Sequence, residues 1–318
     1  MVKTTSVSEA AAAIRAGKLV AFPTETVYGL GANALDAEAV GRIYEVKGRP
    51  AGSPVIVHVD SVGMARSLAA AWPEAAEKLA AAFWPGPLTL VLPKASSVPA
   101  IVTAGLATVG LRMPSHPLAL ALIREAGVPI AAPSANRFTA LSPTSAAHVA
   151  DGLGDGVDVL LEGASSTVGI ESTVLSLAAA VPRLLRPGMV TRAEIEAEIG
   201  PVECGDPAGE EAGFDAVDNA AHPSPGMHRR HYSPRTPLLL GAPRGEGRGA
   251  YVFIRERSAE KAAAVQVRMP AEARAYAAVL YETLHALDRQ SLDWIAVEPP
   301  PTDPGWEGVL DRLKRAAA

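Results

Sequence analysis

The chain has 318 residues, of which 48% are hydrophobic and 20% charged, and its formal net charge is −5 at pH 7. That length suffices for two domains or one large one, and no apolar run approaches the roughly 18 residues of a membrane span. The acidic balance argues against a free-standing nucleic-acid binder, which needs a basic face, but leaves room for a local basic pocket. A single cysteine, Cys204, excludes a disulfide framework and a multi-cysteine zinc site.

The N-terminal residues predict a helix rather than a secretory leader. Ser6 and Glu9 have the spacing of a capping box, and the amphipathic helix after them is expected to end at Gly17. The stretch lacks the apolar core and cleavage site of a signal peptide. Together with the single cysteine, this makes a cytoplasmic protein the expectation.

Strands and helices alternate through about residue 200, which predicts an α/β domain. The expected strands are Leu19–Phe22, Val55–Val59, Leu88–Leu92, Thr108–Met113, Ile130–Ala132, Val157–Leu161, Ser172–Leu177 and Arg183–Arg186. The expected helices are Ser8–Ala16, Ala37–Val46, Val62–Ala71, Glu74–Phe83, Pro117–Ala126, Ser145–Ala150 and Arg192–Ile199.

The second half of the chain predicts a linker and a smaller unit. Residues 201–237 lack periodicity, which is typical of a linker or a functional lid. The following α/β unit is expected to have strands Leu238–Leu240, Tyr251–Arg255 and Trp294–Val297 and helices Ala271–Arg289 and Trp306–Arg315. We therefore expect a catalytic domain over 1–200, a linker over 201–237 and a small domain over 238–318.

The stretch from Lys18 to Asn33 predicts a ligand site. An apolar strand ends at Pro23, and Thr24 and a flexible glycine segment follow it before the next helix. Small polar groups at such a strand end are where α/β proteins bind ligands. The spacing Gly29-x-Gly31-x-x-Ala34 imitates a dinucleotide fingerprint, but it starts too far from the strand, and no Walker A sequence exists.

Other strand and helix ends carry polar side chains that could have a purely structural role, in capping or in the core. Lys47 and Arg49 close a helix, either as simple capping cations or as a phosphate site. His58 lies in a strand, where a lone histidine is more often a core residue. The remaining candidates are Thr108, Arg112, Ser134, Asn136, Ser142, Ser172 and Arg186.

Taken together, these residues predict a site for a polyanion beside a small polar molecule. They supply hydroxyls, an amide and four cations, and no catalytic triad, carboxylate dyad or metal-ligand cluster competes with them. His228 and His231 lack cysteine or acidic partners, which disfavours a metal site. With no obvious nucleophile, catalysis would rest on positioning and charge neutralisation, as in phosphoryl or nucleotidyl transfer.

The same residues resemble one known family, the threonylcarbamoyl-AMP synthases of the YrdC-like fold, in their long form with an extra C-terminal domain. The matching segments, in family order, are PTETVYGLGANA, KGRP, SPVIVHV, WPGPLTLVL, VGLRMPSHP, APSAN, SPT, ESTV, RPG and HYSP. The resemblance implies a twisted mixed sheet with helices around a large basic cavity, a smaller Rossmann-like C-terminal domain, and a linker that covers the cavity.

The resemblance also implies the chemistry: L-threonine, bicarbonate or carbon dioxide, and ATP give L-threonylcarbamoyladenylate and pyrophosphate. The product feeds threonylcarbamoyladenosine formation beside the tRNA anticodon through a tRNA threonylcarbamoyl-transferase complex, with no stable nucleic-acid complex or membrane contact expected. Mg²⁺ would accompany ATP without a dedicated protein cage.

Carried over by motif, the threonine-binding residues would be Thr24, His58, Arg112 and Ser172. The ATP-binding residues would be Lys47, Arg49, Thr108, Ser134, Asn136, Ser142, Arg186 and Tyr232. Lys47 and Arg49 would neutralise charge as catalytic residues, and Tyr232 would belong to a closing lid.

One departure and two alternatives accompany this interpretation. Residues 137–141 replace the smaller, glycine-containing turn usual in the family, which leaves the role of Ser142 open. A hydrogenase-maturation carbamoyltransferase contains the same kind of domain but needs zinc-finger cysteines. A ribosome-associated or RNA-binding module without catalysis is the alternative from another class, and it would show steep salt dependence.

Overall fold

The computed structural model describes residues 1–50, 52–204, 231–243, 246–255, 257 and 263–318. The strands are β1 Val2–Thr4, β2 Val20–Phe22, β3 Gly29–Asn33, β4 Val57–His58, β5 Leu88–Pro93, β6 Thr108–Arg112, β7 Ile130–Ala131, β8 Val159–Leu161, β9 Thr173–Ser176, β10 Arg183–Arg186, β11 Glu203–Cys204, β12 Leu238–Leu240, β13 Gly249–Phe253, β14 Ala263–Arg268 and β15 Trp294–Val297. The α-helices are α1 Val7–Arg15, α2 Ala37–Lys47, α3 Val62–Leu68, α4 Glu74–Phe83, α5 Pro117–Ala126, α6 Ala146–Leu153, α7 Arg192–Ile199, α8 Ala273–Asp288 and α9 Glu307–Ala316.

The first domain is built on a mixed sheet in the order β1-β8-β2-β3-β7-β4-β6-β5-β9-β10-β11. Successive side chains of a strand point to opposite faces, so Val20 and Phe22 pack with α1 and α5 in one cluster. Leu19 and Ala21 pack on the other face, in the cluster that contains α2, α3 and α4. Helices on both faces bury the sheet, so polar side chains at its strand ends are positioned by a rigid core.

The second domain is smaller and has a parallel sheet in the order β12-β15-β13-β14. Helices α8 and α9 pack on it through a buried cluster that includes Leu280, Leu284 and Leu313. The two sheets confirm the predicted class, a mixed α/β domain followed by a smaller α/β domain. Among the described residues, no helix combines the length and hydropathy that crossing a membrane would need.

Several predicted elements were wrong in kind or extent. The glycine segment expected to be flexible is instead strand β3, which pairs antiparallel with β2 and β7. A Cβ on Gly31 would lie 2.7 Å from Phe22 Cε1 and 2.8 Å from Ile130 Cγ2, so this glycine is required by close packing. Strands β1, β11 and β14 were missed, and the expected strand Val55–Val59 shortens to β4.

The bounds of other elements shift by a few residues, as is usual at frayed ends. Helix α8 begins at Ala273 and ends at Asp288, inside the predicted range. Strand β13 begins at Gly249 and ends at Phe253, before the predicted end. Of the expected linker, residues 205–230, and with them His228, lie outside the described residues.

Candidate functional site

A cavity with an empty volume of about 520 Å³ lies where strands of the larger sheet end. Its lining comes from the ends of β2, β4, β6, β7 and β10, from the starts of β3 and β9, from the loop after α2, and from His231 and Tyr232 before β12. The lining residues are Thr24, Thr26, Val27, Gly29, Arg49, Ile56, His58, Arg112, Ala132, Pro133, Ser134, Glu171, Ser172, Arg186, His231 and Tyr232.

The structure brings eight of the residues singled out in the sequence to this cavity, and they come from both proposed halves of the site. They are Thr24, Arg49, His58, Arg112, Ser134, Ser172, Arg186 and Tyr232. Three guanidinium groups therefore face one cavity. Lys47, Thr108, Asn136 and Ser142 are not among its lining residues.

His58 and Arg112 lie side by side because they are register partners in the parallel pair β4 and β6. Burial, and after it the charge of Arg112, lower the pKa of His58 to about 3, so the imidazole is neutral near pH 7. Arg112 forms an ion pair with Glu25, whose Oε1 lies 2.8 Å from Nη2, and both side chains are buried. The same two atoms lack an aligned hydrogen bond, so the contact is mainly coulombic.

Ser172 and Arg186 form a second fixed pair. The Arg186 guanidinium donates to the Ser172 carbonyl at 3.1 and 3.0 Å and to its hydroxyl at 3.2 Å. The Ser172 hydroxyl also lies 2.8 Å from Thr89 Oγ1. These contacts tie the start of β9 to the end of β10 and hold a hydroxyl and a cation at one wall.

Lys47 does not line the cavity but supports the loop that carries the lining residue Ser134. Its Nζ donates to the carbonyls of Ser134 and Asn136, and burial, with Arg49 nearby, lowers its pKa well below the ordinary value. The Asn136 amide donates to the carbonyls of Arg137 and Ala140 at 2.9 and 2.7 Å. Lys47 and Asn136 thus shape the loop that presents Ser134.

The other three predicted residues have different surroundings. Arg49 lines the cavity and donates to the Pro54 carbonyl at 2.9 Å. Thr108 lines a smaller neighbouring cavity with an empty volume of about 280 Å³, and Ile56 belongs to both linings. The Ser142 hydroxyl donates to Glu171, so it reaches the main cavity through that carboxylate.

Glu171 is the functional candidate that sequence reasoning passed over. Burial by itself raises its pKa, but Arg312, Arg186 and the Ser142 hydroxyl outweigh burial and lower it. Tyr281 donates to Glu171 Oε2 at 3.1 Å. The sequence signal that points to it is a carboxylate immediately before Ser172 at the start of a predicted strand.

Tyr232 closes one side of the cavity. It is 1% exposed and has a φ of 60°. Its neighbour Ser233 donates its backbone N–H to the Thr139 carbonyl at 2.9 Å, and the ring of His231 meets that of Phe138 edge-on at 5.7 Å. Residues 231–233 therefore pack against the turn over residues 137–141, which departs from the family pattern.

Comparison with known proteins places the chain in a family. It is 43% identical over 327 residues to the threonylcarbamoyl-AMP synthase of Bacillus subtilis, covering 98% of this chain and 92% of that protein. The chain belongs to the threonylcarbamoyl-AMP synthase family. A family model described as "Telomere recombination" matches residues 12–188, and one described as "Threonylcarbamoyl-AMP synthase, C-terminal domain" matches residues 190–318.

Solved structures agree with this assignment. Pyrococcus abyssi Sua5 complexed with L-threonine has a TM-score of 0.88 at 39% identity, covering 99% of this chain and 96% of that one. The match to the Halorhodospira halophila synthase, at 39% identity, spans 49% of this chain but 82% of that protein, so shorter synthases exist in the family. The predicted family, fold class and enzyme class are confirmed.

Proposed function

We propose that this cavity makes L-threonylcarbamoyladenylate from L-threonine, carbon dioxide or bicarbonate, and ATP, releasing pyrophosphate. The observation that carries the proposal is the gathering of Arg49, Arg112 and Arg186 around one cavity with His58 and Ser172. Three cations and a neutral imidazole suit an amino acid lying beside a nucleotide. The threonine complex of the Pyrococcus abyssi relative supports the amino-acid half.

The threonine end is assigned to Arg112, His58, Thr24 and Ser172. A guanidinium is matched to a carboxylate by its bidentate fork, so Arg112 would bind the threonine carboxylate, in competition with Glu25. Neutral His58 can exchange a hydrogen bond with the substrate without repelling its ammonium group. The hydroxyls of Thr24 and Ser172 complete this end.

The nucleotide end is assigned to Arg49, Arg186, Ser134 and Tyr232, which line the cavity, and to four residues around it. Lys47 and Asn136 would act through the loop that carries Ser134, while Thr108 and Ser142 would border the nucleotide. A charge-assisted contact to phosphate contributes about 1.5–3 kcal/mol. Arg49 and Arg186 would therefore supply most of the nucleotide affinity. Lys47, which lies outside the cavity lining, would add positive charge near the phosphates.

The chemistry needs two bond-forming steps. The threonine ammonium group first loses a proton to solvent. The free amine then attacks carbon dioxide and releases a second proton to solvent, or attacks bicarbonate with loss of water, to give a carbamate. A carbamate oxygen then attacks the α-phosphorus of ATP, the bond to the bridging oxygen breaks, and pyrophosphate leaves. The guanidinium groups offset the charge that moves onto phosphate oxygens, and Tyr232 keeps water from the mixed anhydride.

Magnesium enters this proposal only as the ion carried by ATP. In the described ranges, no group of three or more histidine, cysteine or acidic residues could hold a metal. Glu171, a carboxylate in the lining, is already bound to Arg312. These residues do not form a cage for the ion, so no step is assigned to it, in keeping with the preference of Mg²⁺ for substrate phosphates.

In this proposal, residues 1–200 catalyse, 201–237 connect and cover, and 238–318 form the second domain. The product would pass to a tRNA threonylcarbamoyl-transferase complex. The direct test incubates the chain with ATP, labelled bicarbonate and threonine and measures pyrophosphate. Release that depends on threonine, with label in an adenylate, is expected; release without such dependence, or none, refutes the proposal.

A further inference from the structure

Helix α9 of the second domain inserts a fully buried guanidinium beside the cavity. Arg312 is 1% exposed. Its Nε donates to Glu171 Oε2 at 2.7 Å and its Nη2 to the Glu171 carbonyl at 3.2 Å. Its Nη1 donates to the Pro187 carbonyl at 3.0 Å and to Asp311 at 2.6 Å. One side chain of the second domain therefore joins the residue before Ser172 to the residue after Arg186.

Backbone packing fixes the helices that surround this contact. A Cβ on Gly308 of α9 would lie 2.9 Å from Gly188 Cα, and a Cβ on Gly169 would lie 2.2 Å from the Ala277 carbonyl of α8. Real Cβ atoms avoid such distances. Helices α9 and α8 thus lie directly against the backbone on either side of the Ser172 and Arg186 pair, and Arg312 has a defined position there.

The charges give this contact a role in ligand binding. Glu171 lies in the cavity lining with Arg186, and each influences the pKa of the other. A buried carboxylate that lost Arg312 would be balanced by the cations still coupled to it, Arg186 and Lys47, since an isolated buried charge is costly. Arg186 would then be neutralised by Glu171 at the place where phosphate has to bind.

Arg312 also meets the covering residue. Its guanidinium carbon lies 5.3 Å from the centre of the Tyr232 ring, within the range of cation–π attraction. The rings of Tyr232 and Tyr281 lie 6.2 Å apart. The second domain therefore contacts two walls of the cavity, the one that carries Ser172 and Arg186 and the one that carries Tyr232.

We propose that Arg312 is a positioning residue of the synthase: the second domain uses it to neutralise Glu171 and to hold Ser172, Arg186 and Tyr232 in ligand-binding geometry. The inference rests on the proposed function.

The test measures KM for ATP, KM for threonine and kcat in the full chain, with thermal unfolding to verify folding. In Arg312→Met we expect the KM for ATP to rise about tenfold or more, the equivalent of one charge-assisted contact. The double variant Glu171→Gln/Arg312→Met removes the competing carboxylate and should recover most of that loss. A purely structural role of Arg312 predicts no such recovery.

Arg274→Met is the matched control. Arg274 also links the domains, through Glu194 at 3.0 Å, but both side chains are exposed, and such pairs contribute little. Its KM values should stay within about twofold of wild type. If Arg312→Met does not fold, Arg312→Lys takes its place. It keeps the charge that neutralises Glu171 but loses the three contacts to Glu171 and Pro187, so it tests whether Arg312 holds Ser172, Arg186 and Tyr232, and its KM for ATP should still rise.

Different results would refute the inference about Arg312 and the proposed function. A folded Arg312→Met or Arg312→Lys with wild-type KM for ATP overturns the inference, and so does a double variant as impaired as Arg312→Met. A wild-type chain without threonine-dependent pyrophosphate release refutes the proposed function instead. Direct titration with a fluorescent ATP analogue then still tests Arg312, since it measures nucleotide binding without turnover.

Discussion

The contact between Arg112 and Glu25 allows a sharp test of threonine recognition. We propose comparing Arg112→Met with the double variant Glu25→Gln/Arg112→Met. Both remove the guanidinium that would bind the threonine carboxylate. Only the double variant also removes the buried carboxylate that lies 2.8 Å from Arg112, so the pair separates the loss of a substrate contact from damage to the fold.

The magnitude follows from that geometry. A charge-assisted hydrogen bond contributes about 1.5–3 kcal/mol, or about 10- to 150-fold in affinity. When threonine binds, Arg112 exchanges the Glu25 carboxylate for the substrate carboxylate. The net loss of threonine affinity should therefore lie in the lower part of that range, about 10- to 40-fold. Arg112→Met alone strands Glu25 as a buried charge, which destabilises the folded state by about 3–5 kcal/mol.

The assay is pyrophosphate release as a function of threonine at saturating ATP, with thermal unfolding in parallel. For the double variant we expect kcat/KM for threonine to fall by the stated factor, with KM for ATP nearly unchanged. Arg124→Met, which alters an exposed arginine 3.9 Å from Asp60, is the matched control. A folded double variant with kcat/KM for threonine within about threefold of wild type would refute the reasoning.

Three further predictions concern the nucleotide, the cover and pH. Arg186→Lys loses the fork that reaches both oxygens of Ser172, so KM for ATP should rise about tenfold; an unchanged KM contradicts the assignment. Tyr232→Ala should admit water and raise the ratio of AMP to intact adenylate in product chromatography; an unaltered ratio argues against a cover. His148 and His285 are stacked at 3.8 Å and have pKa values lowered to about 4, chiefly by burial. The unfolded chain, titrating near 6.5, binds more protons between pH 6.5 and 4, so Tm should fall as pH drops through that window. The fall above pH 5 should be shallower in His148→Gln/His285→Gln; equal slopes would contradict this origin.

Local patterns predicted most of the first domain because its elements have strong periodic signals. Helices α4 and α5 have the predicted bounds, since capping or proline starts and apolar faces define them. Strand β3 was missed because two of its five residues are glycines, which are depleted in strands. The close approach of Phe22 and Ile130 explains Gly31, and that of Ala132 explains Gly29; no local pattern contains that information.

The site residues show the same difference between what local sequence patterns predict and what only the folded structure shows. His58, Arg112, Ser172 and Arg186 could be chosen because each ends or precedes an apolar strand, and strand ends of one sheet meet. That reasoning does not tell whether a side chain faces the ligand or supports the wall. For Lys47 the motif predicts a ligand contact, and the structure adds that its Nζ donates to the carbonyls of Ser134 and Asn136.

Arg312 marks the limit of what one sequence contains. It lies three residues after Val309 and four before Ala316, on the face of α9 that is otherwise buried and apolar. An arginine on such a face implies a buried partner, because an unpaired buried charge is costly. That much can be read from residues 307–316 alone. The partner, Glu171, lies 141 positions earlier in the chain, in another domain. The packing of α9 against Gly188 and of α8 against Gly169 brings the two together, so the link between the second domain and the cavity is visible only in the three-dimensional structure.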